Sequence, residues 1–217
     1  MYIFLGNLAL MDSCCSCAVT PKMLENFFSE DRIISLYECM AQFYFLCLAE
    51  TTDCFLLAAM AYDCYVAICN PLQYHTMMSK TLCIQMTAGA YLAGNLHPMI
   101  EVEFLLRLTF CGSHQINHFF CDVPAMLTLA CTDTWVYEYT VFLSSTIFLV
   151  FPFTGIACSY GWVLLAVYRM HSAEGRKKAY STCSTHLTVV TFYYAPFAYT
   201  YPVSYTHLRA HETLRHL

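Results

Sequence analysis

Apolar residues in this chain come in long blocks rather than in the short alternating patterns of a soluble domain. Three stretches, Leu82–Ile100, Tyr139–Tyr168 and Ala179–Leu208, contain no Asp, Glu, Lys or Arg. A helix needs about 20 such residues to cross a bilayer core of ~30 Å. The pattern predicts five spans, at Met1–Val19, Leu36–Ile68, Leu82–Ile100, Val136–Val167 and Ala179–Tyr201. Pro21 is expected to close the first, because proline removes a donor and clashes with the preceding turn. Pro152 and Pro196 fall inside spans, where neighbouring helices can satisfy the freed backbone groups. The connections are short except for an outer loop over 101–135. The expected organisation is one membrane domain over 1–202, followed by an atypical tail over 203–217 that is basic and histidine-rich.

Composition sharpens this picture. Hydrophobic residues make up 59% of the 217 positions and charged ones only 12%, against about 25% charged in an ordinary soluble domain. So little charge cannot cover a water-soluble globule. The net charge of −5 and the lack of a basic stripe argue against a nucleic-acid binder. No H-E-x-x-H, phosphate loop or serine elbow is present, so no catalytic residue is assigned and no enzyme is expected.

The few charges are sorted by side. The connections 70–80 and 169–178 carry Lys80, Arg169, Arg176, Lys177 and Lys178 against Glu174 alone. The remaining connections are mostly acidic, with Glu101 and Glu103 assigned to the long outer loop. The positive-inside rule makes the basic set cytoplasmic. Four of the fourteen cysteines, Cys39, Cys111, Cys121 and Cys131, then lie on the outside, where disulfides persist. Three pairings of these four are open. The other ten lie in or beside apolar segments and read as small hydrophobes, including the formal C-x-x-C of Cys14–Cys17.

The second span carries acids where charge is expensive, about 2.5–3.5 kcal/mol each at the bilayer centre. Cys39, Leu46, Glu50, Asp53 and Leu57 recur at helical spacing, so one face holds the acids and must point into a bundle. Asp12 in the first span is read as a third buried acid. Two readings stand: hydrogen-bonded structural groups, or an ion or ligand site.

The segment Met60-Ala-Tyr-Asp-Cys-Tyr-Val-Ala-Ile-Cys69, followed by Asn70-Pro-Leu72 and Tyr74, resembles the signature of vertebrate odorant receptors, rhodopsin-like G-protein-coupled receptors with seven helices. Met1–Leu8 with Asp12 and Pro21–Leu24 is similar to that family's second helix. His118–Asp122 and Leu129–Asp133 are similar to its second extracellular loop, and Ser159-Tyr160 to its fifth helix. Lys178-Ala-Tyr-Ser-Thr-Cys-Ser-Thr-His-Leu187 is similar to the opening of its sixth helix. The resemblance covers about Met1 to Tyr201 in the family's order. The implied fold class is an all-α membrane protein, part of a seven-helix bundle with about five spans present.

The resemblance implies bridges Cys39–Cys121 and Cys111–Cys131. With Cys121 bridged, His114 and His118 lose a thiolate partner, so no metal is expected, and no cofactor. It implies a small volatile odorant as ligand, lined by Leu46, Cys47, Glu50 and Thr51, with Ser144 and Phe148 from the next long span and Phe197 and Tyr201 from the last. Glu50 suggests a polar or basic feature on that ligand. Asp12 and Asp53 match paired acids that hold sodium in related receptors, and Tyr194 matches an aromatic activation switch.

The implied partners are the lipid bilayer and a heterotrimeric, stimulatory G protein that raises cAMP, with the receptor placed as a multi-pass protein of the plasma membrane. The coupling motif reads Asp63-Cys64-Tyr65, where the family has arginine in the middle. Arginine is always charged and presents a rigid fork of donors, which cysteine lacks, so coupling is expected to be impaired. Counterparts of helices one and seven are not recognised, and the 203–217 tail matches nothing expected after a sixth helix. The alternative reading is therefore a non-signalling fragment or pseudogene product of the same family, retained in the endoplasmic reticulum.

Overall fold

The computed structural model describes residues 2–29, 33–111, 120–127, 129–132, 134–170 and 172–215, without the side chains of 124, 125 and 199 onward. His114, His118 and Asp133 lie outside the described residues. The described chain is helical, with α1 at Tyr2–Phe28, α2 at Leu36–Cys69, a 3-10 turn at Pro71–Gln73, α3 at Tyr74–Met77, α4 at Lys80–Leu105, α5 at Val123–Leu127, α6 at Trp135–Arg169 and α7 at Ala173–Arg215. It divides into two compact units, Met1–Val163 and Leu164–Leu217. Among the described residues α1, α2 and α6 are long and apolar enough to cross a membrane.

Two boundaries differ from expectation. The first helix does not stop at Pro21 but runs on to Phe28. Proline removes a single donor from the ladder, and the ladder resumes beyond it, with the Ser29 amide still bonded to Glu25 O at 3.0 Å. The third span continues past Ile100 to Leu105, so Glu101 is helical and buried rather than part of an acidic loop.

Helix α2 is the centre of the first unit, buried along most of its length. Its start is fixed by a capping box: the Glu38 amide donates to Ser35 Oγ (3.2 Å) and the Ser35 amide to Glu38 Oε2 (2.8 Å), which satisfies two otherwise orphaned donors. Ser79 caps α4 with one hydrogen bond, accepting from the Leu82 amide at 3.2 Å. Towards the cytoplasmic end, Phe4, Leu56, Ala59, Met60, Val66, Met78, Cys83 and Ala90 form one core. Towards the outer end a second core gathers Cys39, Met40, Phe43, Cys47, Leu105, Cys121, Met126 and Tyr137.

Polar bridges tie the helices where lipid would leave such groups unsatisfied. Tyr44 Oη donates to Asn95 Oδ1 and Tyr91 Oη to Asn7 Oδ1, each at 3.0 Å. Gln42, buried, donates to Ala18 O (3.2 Å) and accepts from the Cys121 amide (2.9 Å). The outer loop is held by Cys39–Cys121 and Cys111–Cys131, with Cα separations of 5.4 and 5.8 Å. The second flanks an antiparallel bridge between Phe110 and Ala130.

Close approach of α4 to α2 depends on Gly94. A Cβ there would collide with Thr52 Oγ1 and lie 3.0 Å from Leu48 O, whereas one at Gly89 would meet nothing within 4 Å. Small residues at such crossings let backbones approach. Gly94→Ala is expected to destabilise the unit by about 1–3 kcal/mol through overpacking. Gly89→Ala should be neutral or stabilising by up to about 1 kcal/mol, from helix propensity. Thermal unfolding of both variants in detergent checks the opposite signs.

Candidate ligand-binding site

A buried polar cluster links α2, α4 and α6 in the outer half of the first unit. Thr51 Oγ1 lies 2.7 Å from His97 Nδ1. One turn along α4, Glu101 Oε1 lies 2.9 Å from His97 Nε2. That approach is close but not aligned for a hydrogen bond. Ser144 Oγ donates to the same Oε1 at 3.0 Å, and the Cys47 thiol sits 4.0 Å from Oε2. The His97 ring stacks on Phe148 at 4.8 Å between centroids. Glu101 is only 2% exposed. A carboxylate withdrawn from water is tolerated when its oxygens have partners, and here three helices supply them.

The cluster unites several of the residues expected to contact ligand. Cys47, Thr51 and Ser144 are buried and belong to it, Phe148 is half-buried against His97, and Leu46 is buried on the same helix. Glu50, in the middle of α2, is exposed, while Asp53 one turn on is buried with its Oδ1 unbonded among the described residues. In the second unit Tyr194 is buried, and Phe197 is half-buried with its ring 5.6 Å from that of Tyr193. The side chain of Tyr201 lies outside the described residues.

Asp12 corrects the expectation of a paired buried acid. It is exposed, on a helix whose buried residues are Phe4 and Met11. His97 and Glu101 are the site residues that sequence reading missed. Their i, i+4 spacing on one helix face was the available signal. A shallow groove of about 330 Å³ also opens between α1 and α2, lined by Ala18, Lys22, Glu38, Gln42 and Phe45 among others. None of the expected ligand contacts lines it.

At the other end of α2, Asp63 and Cys64 are buried and Tyr65 is half-buried. Tyr74, from α3, donates its hydroxyl to Asp63 Oδ1 at 2.8 Å. Burial, reinforced by this hydrogen bond, pushes the Tyr74 phenol up to about 12, so it remains a neutral donor at physiological pH.

The olfactory receptor family profile matches residues 1–216. Human olfactory receptor 5K3 is 72% identical over 193 residues, which is 89% of this chain and 60% of that receptor. Human olfactory receptor 5K4 is 68% identical over 194 residues, with 89% and 60% coverage. Mouse olfactory receptor 5K16 is 63% identical over 194 residues, with 89% and 61% coverage. The chain thus spans about three-fifths of the length of these relatives.

The cluster makes an asymmetric prediction for stability. His97→Ala removes the partner of Thr51 and the contact with Glu101 while leaving both buried, which is expected to cost about 1–3 kcal/mol. Thr51→Val removes one hydrogen bond and should cost about 1 kcal/mol. Denaturant or thermal unfolding in micelles measures both.

Proposed function

Because the chain belongs to the olfactory receptor family, we propose that it works as an odorant-binding, G-protein-coupled receptor whose ligand engages the polar cluster among α2, α4 and α6. Membership makes it a multi-pass plasma-membrane protein of the seven-helix bundle class, and not an enzyme. The observation that carries the ligand-binding reading is the cluster itself. Cys47, Thr51, His97, Glu101 and Ser144 place a few polar groups within apolar walls, which is the make-up of small-molecule sites. Leu46, Phe148 and the exposed Glu50 extend that surface.

Ligand binding acts by population shift: an odorant that prefers one helix arrangement raises its share. That arrangement presents the cytoplasmic end of α2 to a stimulatory G protein, which raises cAMP. Coupling is weak here because Cys64 has neither the charge nor the reach of arginine. Asp63 is instead engaged by Tyr74.

The test is a cAMP reporter in cells supplied with a stimulatory G protein and exposed to a panel of small volatiles, comparing the chain with Cys64→Arg. The expected outcome is an odorant-evoked rise that is larger in Cys64→Arg. Equal, robust signalling by both contradicts the role given to Cys64. Silence from both, together with no direct binding of any volatile, contradicts the receptor reading.

A further inference from the structure

Tyr137 stands in the first turns of α6 and is 2% exposed, in the core that also holds Cys39, Cys47, Leu105, Cys121 and Met126. It therefore lies between the Cys39–Cys121 bridge and the polar cluster. Its hydroxyl has no hydrogen-bond partner among the described residues. A buried tyrosine usually finds one, and leaving a donor unsatisfied costs about 1–3 kcal/mol. Most polar atoms nearby are committed, His97 Nδ1 to Thr51 and Glu101 Oε1 to Ser144. His97 Nε2, inside the polar cluster, also makes no hydrogen bond, but the Tyr137 hydroxyl is the unused donor set in the apolar wall.

Acidic groups act on this hydroxyl, Glu101 first, then the Cys47 thiol and Asp122 from the outer loop. A negative surround favours a neutral acceptor and opposes an anionic one. We propose that Tyr137 is a specificity-determining donor, which selects small apolar molecules bearing one neutral acceptor oxygen, such as a ketone or ester carbonyl, over hydrocarbons and over carboxylates of the same size. The inference rests on the odorant-binding reading and names its ligand class. The ligand oxygen accepts from Tyr137 Oη, and its hydrocarbon part packs on the apolar wall.

The full chain in phospholipid nanodiscs tests this by saturation-transfer NMR, with protein-free nanodiscs as the reference for lipid partitioning. The probes are acetophenone (neutral carbonyl), ethylbenzene (no acceptor) and benzoate (anion). Acetophenone is expected to bind about fivefold to tenfold more tightly than ethylbenzene, the worth of one hydrogen bond, and benzoate to give no protein-dependent signal. Tyr137→Phe should erase the acetophenone advantage while leaving ethylbenzene unchanged. Equal binding of the two in the unaltered chain overturns the assignment without recourse to any variant, as does an undiminished advantage in Tyr137→Phe. Either result leaves odorant binding standing. If no probe gives a protein-dependent signal, the odorant-binding reading itself fails.

Discussion

A carboxylate inside an apolar bundle must be satisfied where it stands, and the outer half of this protein is arranged around that demand at Glu101. Its partners come from every helix that faces it: His97 on its own helix, Ser144 on α6 and the Cys47 thiol on α2, with Thr51 holding the far side of the imidazole. In water such contacts would be worth little each. In a bilayer the alternative to them is an unsatisfied polar group at several kcal/mol, so they fix how α2, α4 and α6 register. Apolar packing alone would let these helices slide, since lipid tails are as apolar as leucine.

Several further contacts hold the helices around this cluster in place. Gly94 lets α4 approach α2 closely enough for Thr51 to reach His97. The capping box at Ser35 and the Cys39–Cys121 bridge fix the outer end of α2 and hang the outer loop from it. Gln42 then ties that loop to α1 through two hydrogen bonds of its own. At the cytoplasmic end a different pair, Tyr74 and Asp63, holds the connection after α2 against the bundle. One helix therefore carries the polar cluster with His97 and Glu101 near one end and the buried Asp63 with its Tyr74 partner at the other.

Much of this was legible from residue pattern. The helical spacing of Cys39, Leu46, Asp53 and Leu57 marks the buried face of α2, and all four are buried. The long apolar blocks locate the helices, because in a bilayer hydropathy and secondary structure are forced to coincide. Three of the differences, at Glu101, Asp12 and Glu50, share a physical root: the place of a charge depends on its neighbours and not on its type alone. Glu101 follows directly after an uncharged block and so resembled the start of an acidic loop, although His97 four positions earlier could neutralise it within the helix. Asp12 sits in an apolar run and so resembled a buried acid, yet α1 exposes that face. Glu50 is likewise exposed, although its spacing places it with the buried residues of α2. Pro21 resembled a terminator because its cost is local, whereas the helix around it is sustained by the residues on both sides. Tyr137 carried no pattern at all, since an unbonded hydroxyl is a property of packing and not of sequence.

Glu101 and His97 join α2 to α6 through the contacts above. A double-mutant cycle between Thr51→Val on α2 and Ser144→Ala on α6 tests this link most directly, with reversible unfolding in micelles as the readout. Among the described residues these two side chains are linked through His97 and Glu101. An interaction energy of about 0.5 kcal/mol or more is expected, the range found for residues sharing one network. Additive effects within about 0.3 kcal/mol, as expected of independent sites, would contradict it.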